Sequence, residues 1–182
     1  MNTLGKEYLD TTIRRLKYYK DLAEKAFGQL NDADLHFRPN EESNSIAIII
    51  QHIYGNMLSR WTNFLTEDGE KEWRQRDEEF EIHLLSKQQL LELWEKGWAC
   101  FFNTLVSLTE DDLLKTVHIR SEPLSVIDAI NRQLAHYPHH IGQILYIGKM
   151  IKNKEWKNLS IPRKQSQQYN NADSIKDPAK KF

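Results

Sequence analysis

Apolar residues recur at threes and fours along almost the whole chain, with charged residues between them, the signature of amphipathic helices. From about residue 6 to residue 30 the stripe is Leu9, Ile13, Leu16, Tyr19, Leu22, Ala23, Phe27 and Leu30, while Arg14, Arg15, Lys17 and Lys20 take the other face. Asn31-Asp32-Ala33-Asp34 is expected to close this first helix, and Phe37-Arg38-Pro39-Asn40 to be a loop. A second helix should start at Asn44 or Ser45, both good N-caps, and carry Ile46, Ile49, Ile50, Ile53, Met57, Trp61 and Phe64. A third begins at a Ser86 cap and presents Leu90, Leu91, Leu93, Trp94, Trp98, Phe101, Phe102, Leu105 and Leu108. The fourth runs from near Leu124 to near Ile151 on Ile127, Ile130, Leu134, Tyr137, Ile141, Leu145 and Gly148. Pro138 falls inside it, where proline costs roughly 3 kcal/mol. The stripe continues in phase beyond the proline, so the pattern predicts a kink and not a helix end.

The segments between these helices read differently. Residues 66–85 are dense in charge of both signs and interrupt the periodicity. Trp73 and Phe80 within them predict a long loop folded over one end of the helices. Thr109-Glu110-Asp111-Asp112 resembles a short capped turn, and residues 116–120 a short extended piece. After Trp156 comes an ordered-looking turn, Leu159-Ser160-Ile161-Pro162-Arg163; from Gln165 the chain is polar, either mobile or laid across the surface. The expected fold is all-α: a four-helix bundle forming one domain over residues 1–163, with a long loop after its second helix and a polar tail over 164–182.

Composition narrows the function classes. A net charge of -1 gives no global attraction to nucleic acid or an anionic membrane. No apolar run is long enough for a membrane span, and no apolar stretch follows the first residues as in a secretory leader. The single cysteine, Cys100, excludes an internal disulfide and reads as a plain core thiol between Trp98 and Phe101. A cytoplasmic setting is expected.

The candidate chemistry lies in histidine. His136 and His140, four residues apart on the fourth helix, leave one face a turn apart. His52 sits one residue off the apolar stripe of the second helix. Neighbouring helices can bring these three imidazoles to one divalent ion, leaving a coordination position open. Zinc, nickel or iron(II) suits such ligands. His139 is an alternative partner for His136, although the i, i+4 pair aligns better. His36, His83 and His118 fall in predicted loops. Gly55, one turn beyond His52, predicts a close approach by a helix or ligand, or a tolerated weak position. Arg132 and Gln143 flank the histidine pair and are candidate substrate-binding residues. Arg132 would hold an anionic group, with a surface salt bridge as the other reading; Arg74 and Arg76 are weaker candidates for the same task.

Several motifs together resemble the DinB-like superfamily of metal-binding four-helix bundles, in particular a branch of largely unknown function. They are Ile49-Ile50-Gln51-His52-Ile53, Asp68-Gly69-Glu70-Lys71, Trp73-Arg74-x-Arg76-Asp77, His136-x-x-x-His140, His139-His140-Ile141-Gly142-Gln143, and Trp156 followed by Leu159-Ser160-Ile161-Pro162. The resemblance spans the chain up to about Asn171. It implies an up-down-down-up bundle, a metal site at His52, His136 and His140, and a homodimer. Relatives of this kind include thiol-cofactor-dependent isomerases and transferases and metal-dependent hydrolases. The expected function is therefore a metal-dependent transferase or hydrolase acting on a small molecule, with or without a low-molecular-weight thiol. The alternative is a non-catalytic, stress-related dimer that binds metal or a small thiol. No carboxylate pair or nucleophilic cysteine specifies a reaction.

Overall fold

In a computed structural model describing residues 3–182, Thr3 starts the first helix by accepting a hydrogen bond on Oγ1 from the Lys6 amide. That helix, α1, spans Leu4–Phe27. Asn31 and Asp34 then form a reciprocal capping box that opens a short helix, α2, over Asp32–His36. The same four residues that were expected to close the first helix thus start a second. Ser45 caps α3 (Ile46–Trp61), and Ser86 caps α4 (Lys87–Ser107) with a box completed by Gln89. Ser125 caps α5, Val126–Lys152, which runs unbroken through Pro138. A sixth helix, α6, spans Ser166–Asn171. The protein is mainly helical, with six α-helices among the described residues rather than the four of the apolar pattern, because α2 and α6 are too short to show a stripe.

The extended piece at 116–120 has a partner. β1 (Thr116–Ile119) pairs antiparallel with β2 (Glu122–Ser125), with His118 opposite Pro123. Proline is tolerated there because a two-stranded ribbon consists of edges. The turn residues Arg120 and Ser121 both have positive φ, 57° and 63°. Left-handed backbone is unfavourable for non-glycine residues. Asp68 offsets the cost by accepting from both their amides, at 2.9 and 2.7 Å.

The four long helices pack α3 against α4 and α5, and α1 against α5 and α4. Leu16, Phe27, Ile46, Ile50, Ile53, Trp61, Trp94, Trp98, Phe101, Tyr137 and Ile141 are enclosed between them. α3 is the central helix: thirteen of its sixteen residues are buried. Beside its apolar stripe it carries a second, polar one, made of Gln51, His52, Gly55, Asn56, Ser59 and Arg60. The segment 66–85 covers that stripe. Ser59 Oγ and Arg60 donate to the Gly69 carbonyl, and Gln51 Nε2 donates to the carbonyls of Glu79 and Glu81. Of the two loop aromatics, Phe80 is partly buried against His52, whereas Trp73 stays 56% exposed.

The polar tail lies on α1. Arg15 donates two 2.6 Å hydrogen bonds to Asp177, and Ala179 is buried. Among the described residues no helix is long and apolar enough to cross a membrane.

Candidate metal centre

α3 and α5 lie side by side, and their facing positions carry the three predicted histidines. His136 Nε2 is 3.3 Å from His52 Nε2 and 3.0 Å from His140 Nε2. One ligand atom from each ring lies within 4.8 Å of the other two, close enough to hold one metal ion. His139 is exposed and outside the group; its Nε2 lies 3.3 Å from Gln143 Nε2. His36 ends α2 and His118 lies in β1, so neither is a loop residue; His36 Nε2 sits 2.7 Å from the Leu85 carbonyl oxygen. His83 remains in a loop beside the Glu78 carbonyl.

The opposite ring nitrogens decide what the cluster can do. His52 Nδ1 is 2.9 Å from Glu79 Oε2, His136 Nδ1 3.1 Å from Gln133 Oε1, and His140 Nδ1 2.8 Å from Gln143 Oε1. All three partners are acceptors, so each Nδ1 carries the proton and donates. Each Nε2 is then a bare lone pair, and the three face one another with no hydrogen between them. Such a convergence is repulsive unless a cation lies in it. Tetrahedral coordination with bonds of about 2.0–2.1 Å sets ligand nitrogens about 3.3–3.4 Å apart, close to the spacings here. The residues therefore fit a borderline divalent ion.

The protonation states agree. Burial first, then the proximity of His140 and His52, lowers the His136 pKa to about 3. Burial lowers that of His140 to about 4, against the hydrogen bond to Gln143, which raises it. Both rings are therefore neutral at neutral pH. An unfolded histidine titrates near 6.5, so on acidification the unfolded chain takes up these protons first. The metal-free protein should therefore keep its stability above about pH 6.5 and lose it progressively as pH falls towards the folded values. Thermal unfolding of chelator-treated protein at pH 7.5, 6 and 5 checks this. A melting temperature that does not fall at pH 5 would mean the rings are not held neutral.

Glu79 is the residue that the sequence pattern did not single out. Its carboxylate accepts from His52 Nδ1 and from Arg74 through Nε and Nη2, at 2.7 and 2.9 Å. Burial pushes its pKa up, but the hydrogen bonds from His52 and Arg74 and the charge of Arg74 outweigh this and hold it below the usual carboxylate range. It also explains Gly55. A β-carbon at residue 55 would overlap Glu79 Oε1 and lie 2.7 Å from its Cδ. The close approach predicted there is made not by a ligand but by a carboxylate on a short 3-10 helical turn, Asp77–Phe80, of the charged segment. A usable signal lay in the polar stripe of α3, whose buried groups require partners from an adjacent charged segment.

Carboxylates behind ligating histidines fix ring orientation, and their loss typically costs about 10–100-fold in metal affinity. Glu79→Gln should weaken zinc binding by that range, measured by competition with a chromophoric chelator. An unchanged affinity would show that Glu79 does not orient the ligand.

The candidate substrate residues differ in placement. Arg132 is exposed on α5 and lines a small cavity with His52 and His136. Gln143 is engaged with His140 and also lines a wider cavity of about 730 Å³ with Ile49, His139, Tyr146 and Met150. Cys100 is partly buried, 3.7 Å from Thr62 Oγ1 and away from the histidines.

No curated protein and no solved structure gives a significant match to this chain. The family described as "Protein of unknown function (DUF1572)" matches residues 3–165, nearly the whole chain, and the protein belongs to it.

Proposed function

We propose that His52, His136 and His140 bind one divalent ion, zinc, nickel or iron(II), and that the protein is a metal-dependent hydrolase or thiol-dependent transferase acting on a small molecule. One observation carries the reading: three imidazole lone pairs converge while each ring's other nitrogen donates to a fixed acceptor. When bound, such an ion lowers the pKa of a water or a low-molecular-weight thiol towards neutrality. Glu79, Gln133 and Gln143 orient the rings. Arg132 and Gln143 contact the substrate from opposite sides of the cluster. We further read the four long helices as the up-down-down-up bundle of the DinB-like superfamily, with residues 1–163 as the domain and 164–182 as its tail. A cytoplasmic homodimer without nucleic-acid or membrane partners completes the proposal.

A second reading, a non-catalytic metal or small-thiol binder, is favoured by one feature. The carboxylate nearest the histidines, Glu79, is bonded to both His52 and Arg74, so it is not a free general base. Elemental analysis of protein purified without a nickel-binding tag, followed by a panel of electrophiles with and without a biological thiol, separates the possibilities. The enzyme reading expects about one ion per chain and turnover that a chelator abolishes. Metal without turnover supports the metal binder, and no metal removes the enzyme and the metal binder, leaving only thiol binding.

A further inference from the structure

Beside the histidines lies a cavity of about 220 Å³ lined by Arg60, Arg74, Arg76, Arg120 and Arg132. His52 and His136 form part of its wall. Five guanidinium groups converge there from α3, the charged loop, the hairpin tip and α5. Four carboxylates answer them. Glu70 bonds Arg60 and Arg120 at 3.0 and 3.1 Å, Glu79 bonds Arg74, and the fully exposed Asp77 lies 3.8 Å from Arg76. Asp68, which accepts from the Arg120 amide and acts electrostatically on Arg60, is the fourth; five charges against four leave one in excess before any ion is added. The packing has a cost: burial and the charges of Arg74 and Arg132 hold the Arg60 pKa below its ordinary value despite Glu70.

Two of the donors are unused. Arg60 Nε and Arg74 Nη1 are buried with no hydrogen-bond partner, and the side chains that carry them are only 4% and 2% exposed. Arg74 Nη1 lies 3.7 Å from Glu70 Oε2, beyond hydrogen-bond range. Buried unpaired donors on charged groups are expensive and call for an acceptor, such as a bound anion or water. Arg132 forms no hydrogen bond or ion pair among the described residues.

We propose that this cavity is an oxyanion subsite, which binds a phosphate or carboxylate group beside the histidine cluster. Planar guanidinium forks suit both oxyanions. The volume is below the range of about 300–1,000 Å³ common for whole ligands, so the cavity takes one anionic group and the rest of the molecule extends outward. That this group belongs to a substrate rests on the enzyme reading above; anion binding itself does not.

The test is calorimetric titration of the full chain with inorganic phosphate and, separately, with succinate, before and after zinc loading. Saturable one-to-one binding of either anion to the metal-free protein is expected, weakened at least 10-fold by Arg132→Ala. Arg132 has no partner to lose, so this variant should keep the wild-type circular dichroism. Tighter phosphate binding assigns a phosphoryl group, and tighter succinate binding a carboxylate. Anion binding by protein that takes up no zinc supports the subsite while removing the enzyme reading. No saturable binding, or binding unchanged in both Arg132→Ala and Arg76→Ala, overturns the proposal. Binding only to the zinc-loaded form and indifferent to Arg132→Ala also overturns it, because the anion then sits on the ion.

Discussion

His136→Ala should leave a folded protein that no longer takes up a divalent ion. His136 is the middle member of the cluster, with its Nε2 near both other rings. Removing it leaves two ligands on different helices, and the affinity loss should exceed the roughly 10–100-fold attached to an orienting partner. The effect is also visible without measuring metal. An ion at about 1,000 times its Kd stabilises the native state by about 4 kcal/mol, which raises the melting temperature of a chain this size by roughly 8–16 °C. That zinc-dependent rise should vanish in the variant. The metal-free melting temperature should fall only modestly, because the deleted Nε2 faced two other lone pairs, while the deleted Nδ1 gave up one hydrogen bond to buried Gln133. A variant that still gains the full zinc-dependent rise would remove His136 from the site.

Trp98→Ala should destabilise the protein by about 3–5 kcal/mol, the range for deleting a large buried aromatic. Trp98 is fully buried on α4 and packs against Trp94, Phe101, Phe102 and Tyr137 with ring centroids 5.2–5.7 Å away. Its indole nitrogen has no hydrogen-bond partner, so the loss is one of packing and apolar burial. The neighbouring rings cannot close the gap, since Trp61 and Tyr137 are tied by a 3.0 Å hydrogen bond and Tyr137 is tied in turn to Asn56. Denaturant unfolding measures the cost; a loss below about 1 kcal/mol would mean that the core collapses around the deletion. Zinc stoichiometry per folded chain should be unchanged, because the histidines stand on α3 and α5.

Both effects trace to features of different visibility in the sequence. The long helices were legible because each buries one stripe and the spacing repeats often enough to show it. The histidines were legible because His136 and His140 share a helix face by arithmetic, and His52 stands just off an apolar stripe. Glu79 was not, since it stands 27 positions from His52, in a charged segment whose local pattern carries no pairing information. Asn31-x-x-Asp34 illustrates a different limit: the same caps that end one helix can begin the next, and only the turn between them decides. β2 was hidden by Pro123, which is a poor strand residue except at an edge. The arginine cavity was the least legible feature, because its members come from four separate elements and converge only in three dimensions.

The clasp between Glu79 and His52 has a thermodynamic consequence. It joins the covering loop to a residue of the histidine cluster, so loop closure and any ion occupancy of that cluster cannot be independent equilibria. By reciprocity, whatever factor an ordered loop adds to ion affinity, the ion returns to loop order. Amide exchange through residues 76–82 should therefore slow when zinc is added, at sites that never touch it.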